Sequence, residues 1–319
     1  MSFPEHIRAK YPELTAGSMI DNDILHSIGE QYKSPPLNIL NEEWEVLIIL
    51  DACRYDLFKK HNFIEGHLES RYSLGCCTPE WVKNTFRRNL LDLIFQRSRN
   101  FKDIVYVSGN PFISSFMLRE IIGNPNPFHE IKSVWNHGWD EEVGTVLPDT
   151  LTQEALSTVE EHPDKRIIVH YMQPHAPYLS FNKAYKEVFG WKTLRSDILS
   201  NTKPELLPRG GEVSLKEVIQ SYIDNLTIVL KSITGFKELD KIVRVTADHG
   251  ECLGEFIPNV GRKVVGHPPG IDIRALREVP WFLMRTRHPK SDPEYLSRIG
   301  NDMKGQQKAP SSLRSWLGL

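Results

Sequence analysis

Five short apolar runs, each closed by or leading into polar residues, constrain this chain more than any other feature of its sequence. They are Trp44–Asp51, Asp103–Ser108, Arg166–Tyr171, Lys241–Ala247 and Val279–Met284. Runs of this length without polar alternation read as strands buried on both faces, as in a parallel sheet covered by helices on either side. Helical spacing fills the intervals. Apolar residues fall at 82, 86, 90, 93, 94 and 95 within Pro79–Arg99, Leu151–Glu161 precedes the third run, and Ile219, Ile223, Leu226, Leu230 and Ile233 share one face of Val218–Ile233. Strands alternating with helices predict an α/β fold, a three-layer α/β/α arrangement around a mostly parallel central sheet.

The flanks differ in character. Residues 1–43 are polar and broken by Pro4, Pro12, Pro35 and Pro36, which predicts an arm lying against the main domain, residues 44–287. Residues 288–319 read as a C-terminal tail. The polar stretch 180–216, with Pro204, Pro208 and Gly210-Gly211, reads as an insertion or active-site loop. Lys and Arg total 39 against 41 Asp and Glu, a net charge of −2. That balance lacks the basic footprint of a nucleic-acid binder. No apolar run approaches the roughly 18 residues of a membrane span, and Met1–Arg8 lacks the apolar centre of a signal peptide. Four cysteines are too few for a disulfide framework. A reduced, cytoplasmic protein is the expectation; the sequence leaves the oligomeric state open.

In an open parallel sheet, ligands bind beyond the carboxyl ends of the strands. The first run is followed by Asp51-Ala-Cys-Arg-Tyr-Asp56, the third by His170-Tyr-Met-Gln-Pro-His-Ala-Pro-Tyr178, and the fourth by Ala247-Asp-His-Gly-Glu-Cys-Leu-Gly-Glu255. A single Asp at a strand end is usually a helix cap. Acids and imidazoles collected at three strand ends point instead to a cation site. Asp51, Asp248 and His249 are the candidate ligands of one divalent ion, a donor set suited to Zn, Mn, Ca or Mg.

These stretches carry a resemblance. Asp248–Glu255 resembles the DHGE-x-x-GE signature of the sulfatase branch of the alkaline phosphatase superfamily. His170–Tyr178 resembles its HYMDPHGPY stretch, Ile48–Asp56 its first metal-binding strand, Gly266-His267 the GH after the signature, and Arg277–Pro280 its REVP strand. The matches run in order over about residues 44–287. The resemblance implies an alkaline phosphatase-like fold and a metal-dependent hydrolase or transferase of phosphate or sulfate monoesters or diesters. It also implies a covalent enzyme intermediate and, as substrate, a small-molecule or glycan-linked anionic ester.

The resemblance places the nucleophile in Gly75-Cys-Cys-Thr-Pro-Glu-Trp81, where a helix N-terminus favours an anion. Cys77 takes the nucleophile register. Thr78 stands one residue beyond it and matches the residue type of the phosphotransferase branches. Formylglycine-forming sulfatases carry Cys-x-Pro-x-Arg, and Trp81 occupies the Arg position here, which speaks against that modification. Gln173 replaces the Asp of the HYMDPHGPY stretch. One metal is therefore expected rather than two, with His175 and His267 acting on the substrate and the leaving group, and Arg54 and His170 binding ester oxygens. The competing expectation is a non-catalytic sulfatase-like protein that binds an anionic ligand or partner.

Overall fold

The computed structural model describes residues 34–87, 101–179, 215–257 and 262–291. In chain order the regular elements are β1 (Val46–Leu50), α1 (Tyr55–His61), β2 (Gly66–Tyr72), α2 (Thr78–Phe86), β3 (Phe101–Ser108), α3 (Ser115–Ile122), β4 (Phe128–Ser133) and the single turn α4 (Val134–His137). There follow β5 (Trp139–Asp140), β6 (Thr145–Val146), α5 (Pro148–Glu161), β7 (Arg166–Tyr171), α6 (Leu215–Ile233), β8 (Val243–Thr246), β9 (Cys252–Ile257), β10 (Arg262–Gly266), the single turn α7 (Arg274–Arg277) and β11 (Glu278–Met284).

Seven strands form the central sheet in the order β2-β11-β8-β1-β7-β3-β4. The pairs β8-β1, β1-β7, β7-β3 and β3-β4 are parallel; β11 runs antiparallel to both its neighbours. Every residue of β1 is buried, as an unbroken Val-Leu-Ile-Ile-Leu run demands of a central strand. Pro280 is tolerated inside β11 because the ladder to β8 is confined to Phe282↔Val245 and Leu283↔Arg244, so its missing N–H lies beyond that pairing.

Helices cover both faces, so the fold is the three-layer α/β/α arrangement. On β7, Tyr171 shares a hydrogen bond with Thr152 of α5 (2.7 Å), while the ring of the preceding His170 meets Trp81 of α2. Successive side chains of a strand point to opposite faces, so α5 and α2 lie on opposite sides. α5 and α1 pack against α6, and α2 against α3. Truncating a core residue such as Ile48 to Ala would cost about 2–5 kcal/mol.

The expected helix at Pro79–Arg99 is shorter where it is described: α2 ends at Phe86, and Arg87 is already extended. Residues 88–100, nearly all of the expected 180–216 insertion, residues 1–33 and residues 292–319 lie outside the described residues. Of the arm, Pro36 bridges to Tyr72, and Leu37 and Ile39 are buried in the main core. No helix among the described residues is long and apolar enough to cross a membrane.

Candidate active site and metal centre

Two loops leave the carboxyl ends of the neighbouring strands β1 and β8 and converge. Asp51 follows β1, and Asp248 and His249 follow β8. One ligand atom from each lies within 4.8 Å of the others, and all three residues are buried. Local backbone makes this possible. Ala52 adopts a left-handed conformation (φ 60°) directly after Asp51, a region in which a non-glycine residue is uncommon. That turn aims the Ala52 N–H at Asp248 Oδ1 (3.1 Å). Gly250 follows His249 because a Cβ there would overlap the carbonyl oxygen of Ala275; its own N–H donates to the Leu276 carbonyl at 2.8 Å.

Each acid is held from behind. Asn110, at the end of β3, donates from Nδ2 to Asp51 Oδ2 at 2.7 Å. Asp248 Oδ1 accepts the N–H groups of Ala52 (3.1 Å) and His249 (2.9 Å). Burial, with the Asp248 and Glu251 charges nearby, pushes the Asp51 carboxyl well above the ordinary range. Burial also opposes the Asp248 carboxylate, but the His249 and His170 imidazoles and the Thr78 hydroxyl outweigh it and hold that group below the ordinary range. A divalent cation would offset the repulsion between two adjoining buried carboxylates.

His249 completes the donor set. Its Nδ1 donates to the Gly250 carbonyl (2.8 Å), which leaves Nε2 3.6 Å from Asp51 Oδ1 and 3.4 Å from Asp248 Oδ2. A metal-binding imidazole characteristically gives its other N–H to such an acceptor. Burial lowers the His249 pKa, which keeps the ring neutral and able to ligate. Two carboxylates and one neutral imidazole fit a divalent cation.

Thr78 stands at the start of α2 with its Oγ1 donating to Asp248 Oδ2 at 2.7 Å and lying 3.4 Å from His249 Nε2. The preceding Cys77 is the helix cap without a side-chain capping bond. Its side chain packs into the main core, and its sulfur groups with Cys76 and Glu80. At the N-cap the two successive residues diverge: the Cys77 side chain lies in the core beside Cys76 and Glu80, and the Thr78 hydroxyl points at Asp248.

A second trio adjoins the first. His175, Glu251 and His267 offer ligand atoms within 4.8 Å of one another. The His267 and His249 ring centroids are 4.4 Å apart, and those of His267 and His175 are 5.0 Å apart. His267 Nδ1 lies 3.1 Å from Glu251 Oε1. Burial raises Glu251 to about 7 and lowers His175 to about 4, the latter with help from His267. Gln173 takes no part; its Nε2 donates to the Val146 carbonyl (3.2 Å) and faces Thr145 Oγ1 (3.4 Å). The carboxylate of this second trio comes from Glu251, in the loop after β8, and not from position 173.

Two expected substrate contacts sit elsewhere. Arg54 donates to Asp56 (2.9 and 2.7 Å), to Glu255 and to the Glu251 carbonyl (3.2 Å), so its charge is already matched by two carboxylates. His170 is fully buried beneath Asp248, with Nδ1 2.9 Å from the Tyr106 hydroxyl. It supports the site from behind and presents no face to a substrate. Asn110 lies in the Gly109-Asn110-Pro111 stretch after β3, whose sequence fits either a pocket lining or a turn; Tyr106 carries no signal beyond its place on β3, and Glu251 only its place in the motif.

No family model matches the chain, and no curated protein does. Solved structures do. The C-terminal periplasmic domain of EcEptC from Escherichia coli, in complex with Zn, is 14% identical at a TM-score of 0.49, covering 81% of this chain and 78% of that one. Its solved look-alikes include an alkaline phosphatase superfamily protein and a sulfatase. The former, from Vibrio parahaemolyticus, is 13% identical at a TM-score of 0.42 over 88% of this chain and 72% of that chain. The latter, BT1596, described as a 2-O GAG sulfatase, is 11% identical at 0.42 over 76% and 64% respectively.

Proposed function

We propose that this chain is a metal-dependent enzyme of the alkaline phosphatase-like, sulfatase-like kind that transfers or hydrolyses phosphate esters through a phosphorylated Thr78. The observation that carries the reading is the Thr78 hydroxyl hydrogen-bonded to Asp248, at a helix N-terminus, beside the buried Asp51–Asp248–His249 donor set. An unmodified threonine, with Trp81 in place of the arginine of the formylglycine motif, favours phosphate over sulfate.

Asp51, Asp248 and His249 would hold the cation. When bound, it supplies positive charge that lowers the pKa of the nucleophile and stabilises the developing charge on ester oxygens. Thr78 Oγ1 delivers its proton toward Asp248 and forms a bond to phosphorus as the ester P–O bond breaks. The first turn of α2 presents its dipole to the anion formed there. With the second trio free of metal, Glu251, which holds its proton to about pH 7, and His267 beside it protonate the departing oxygen; with a cation bound there those protons are displaced and its positive charge takes their place. Water or an acceptor hydroxyl then attacks phosphorus, breaks its bond to Oγ1 and restores Thr78. The second trio, with one carboxylate and two imidazoles, is the weaker of the two cation sites.

The reading is tested by turnover of p-nitrophenyl phosphate and bis(p-nitrophenyl) phosphate before and after chelation. Activity lost on chelation and restored by Zn²⁺ or Mn²⁺ is the expected result. Tight metal binding with no turnover of any phosphate, phosphonate or sulfate ester would favour the non-catalytic alternative.

A further inference from the structure

His170 is the one buried imidazole at the site to which the mechanism gives no work. It is wholly enclosed, and its Nε2 has no hydrogen-bond partner. That nitrogen faces Asp248 Oδ2 at 3.7 Å, the same oxygen that accepts the Thr78 hydroxyl at 2.7 Å. On the other side of the ring, the equally enclosed Tyr106 hydroxyl sits 2.9 Å from Nδ1. Register explains the meeting: in the β3–β7 ladder His170 pairs with Ser108 and Tyr106 pairs with Ile168, so Tyr106 and His170 lie on the same face, two rungs apart. The ring also makes an edge contact with Trp81, one turn along α2 from Thr78 (centroids 6.1 Å).

We propose that Tyr106 and His170 form a positioning device for Asp248, in which Tyr106 fixes the imidazole and the imidazole fixes the carboxylate. The argument is one of proton count. A neutral imidazole carries one N–H, and a hydrogen bond at one nitrogen sets which nitrogen bears it. A tyrosine hydroxyl can donate to Nδ1; the Asp248 carboxylate can only accept. Tyr106 donating to Nδ1 therefore puts the ring proton on Nε2, facing Oδ2. The arrangement matters when Thr78 gives up its proton. At that moment Oδ2 loses its 2.7 Å donor, and the Nε2–H of His170 is the buried donor left facing that oxygen. Trp81 couples the ring to the helix that carries Thr78, so the nucleophile and the ligand share one support. Neither Tyr106 nor His170 touches the substrate; both act through Asp248.

This inference rests on Asp248 being a metal ligand, and the experiment separates the two claims. Zn²⁺ affinity of the full chain is measured by competition with a chelating dye. The parent is compared with Tyr106→Phe, His170→Phe, His170→Gln and the double variant Tyr106→Phe/His170→Phe, and metal-free melting temperatures are recorded in parallel. Supporting residues behind a metal ligand contribute about 10–100-fold in affinity. His170→Phe is expected to weaken Zn²⁺ by that amount, and His170→Gln, which keeps a donor near Nε2, by clearly less. Tyr106→Phe should weaken it several-fold, with no further loss when added to His170→Phe, since Tyr106 works only through the ring. Affinities within twofold of a Zn²⁺-binding parent, or losses from the two positions that simply multiply, would overturn the device and leave the functional reading standing. A parent that binds no Zn²⁺ would overturn both. If His170→Phe does not fold, adding Tyr106→Phe to His170→Gln gives the same comparison: a further loss clearly smaller than that of Tyr106→Phe alone supports the relay, and one equal to it or larger refutes it.

Discussion

Replacing Thr78 by Val exchanges the hydroxyl for a methyl of nearly the same size and isolates what the oxygen does. Thr78 is 3% exposed, and its Oγ1 makes a 2.7 Å bond to a carboxylate. A hydrogen bond to a charged group is worth about 1.5–3 kcal/mol. At roughly 2–4 °C per kcal/mol for a domain of this size, the metal-free protein should melt about 5 °C lower. The kinetic effect should be far larger. Removing the nucleophile of a covalent mechanism costs about 10³-fold or more, so turnover of p-nitrophenyl phosphate should fall to background. Thr78→Ser should retain measurable turnover. Cys77→Ala removes only a buried sulfur that makes no capping bond; it should cost about 1 kcal/mol of stability and leave kcat/KM within a few-fold. Acid-quenched reactions, digested and fragmented, should show phosphate on Thr78. Activity that survives in Thr78→Val and vanishes in Cys77→Ala would refute the assignment.

Other consequences are equally specific. Asn110→Leu removes the donor to Asp51 Oδ2 and should weaken the tightly held cation by about 10–100-fold, read by dye competition; unchanged affinity would show that Asp51 needs no support. Glu251→Gln should abolish the weaker phase of a Zn²⁺ titration and leave the tighter one, whereas a parent showing a single phase would restore the one-metal expectation. Burial holds His170 near 4 against an ordinary 6.5, so the folded, metal-free protein binds fewer protons than the unfolded chain between those values. Its stability should therefore be intact above pH 6.5 and fall as pH drops toward 4, with about 1.4 kcal/mol per pH unit from this one group. His170→Phe should remove that one-proton slope in urea melts, and an unchanged slope would contradict the neutral buried ring.

The fold was legible because burial on both faces leaves its mark on composition: Val46–Leu50 carries nothing polar, and Ile167–Val169 continues the same pattern in the neighbouring strand. Strand β2 was not legible. Gly-His-Leu-Glu-Ser-Arg-Tyr is an edge strand, only its last residue fully buried, and its mixed polarity resembles a loop. Nor could periodicity show that β11 runs against its neighbours, since direction leaves no local trace. In the site, Asp51, Asp248 and His249 were readable from their positions at strand ends. Which of Cys77 and Thr78 faces Asp248 was not, because that depends on how one N-cap turns its side chains. Glu251 was not readable as a neighbour of His175 and His267, because only the folded arrangement brings the three together. His170 carried a misleading signal, since a histidine at a strand end looks the same whether it faces the cleft or lies beneath it.

The central claim, a cation held by Asp51, Asp248 and His249 beside Thr78, is tested most directly by anomalous scattering from crystals of the Zn²⁺-loaded protein. The account predicts a strong peak about 2.0–2.2 Å from one oxygen each of Asp51 and Asp248 and from His249 Nε2, with Thr78 Oγ1 directed at it. A peak at the Cys76–Cys77–Glu80 cluster instead, with the Asp51–Asp248–His249 position empty in zinc-saturated crystals, would contradict it.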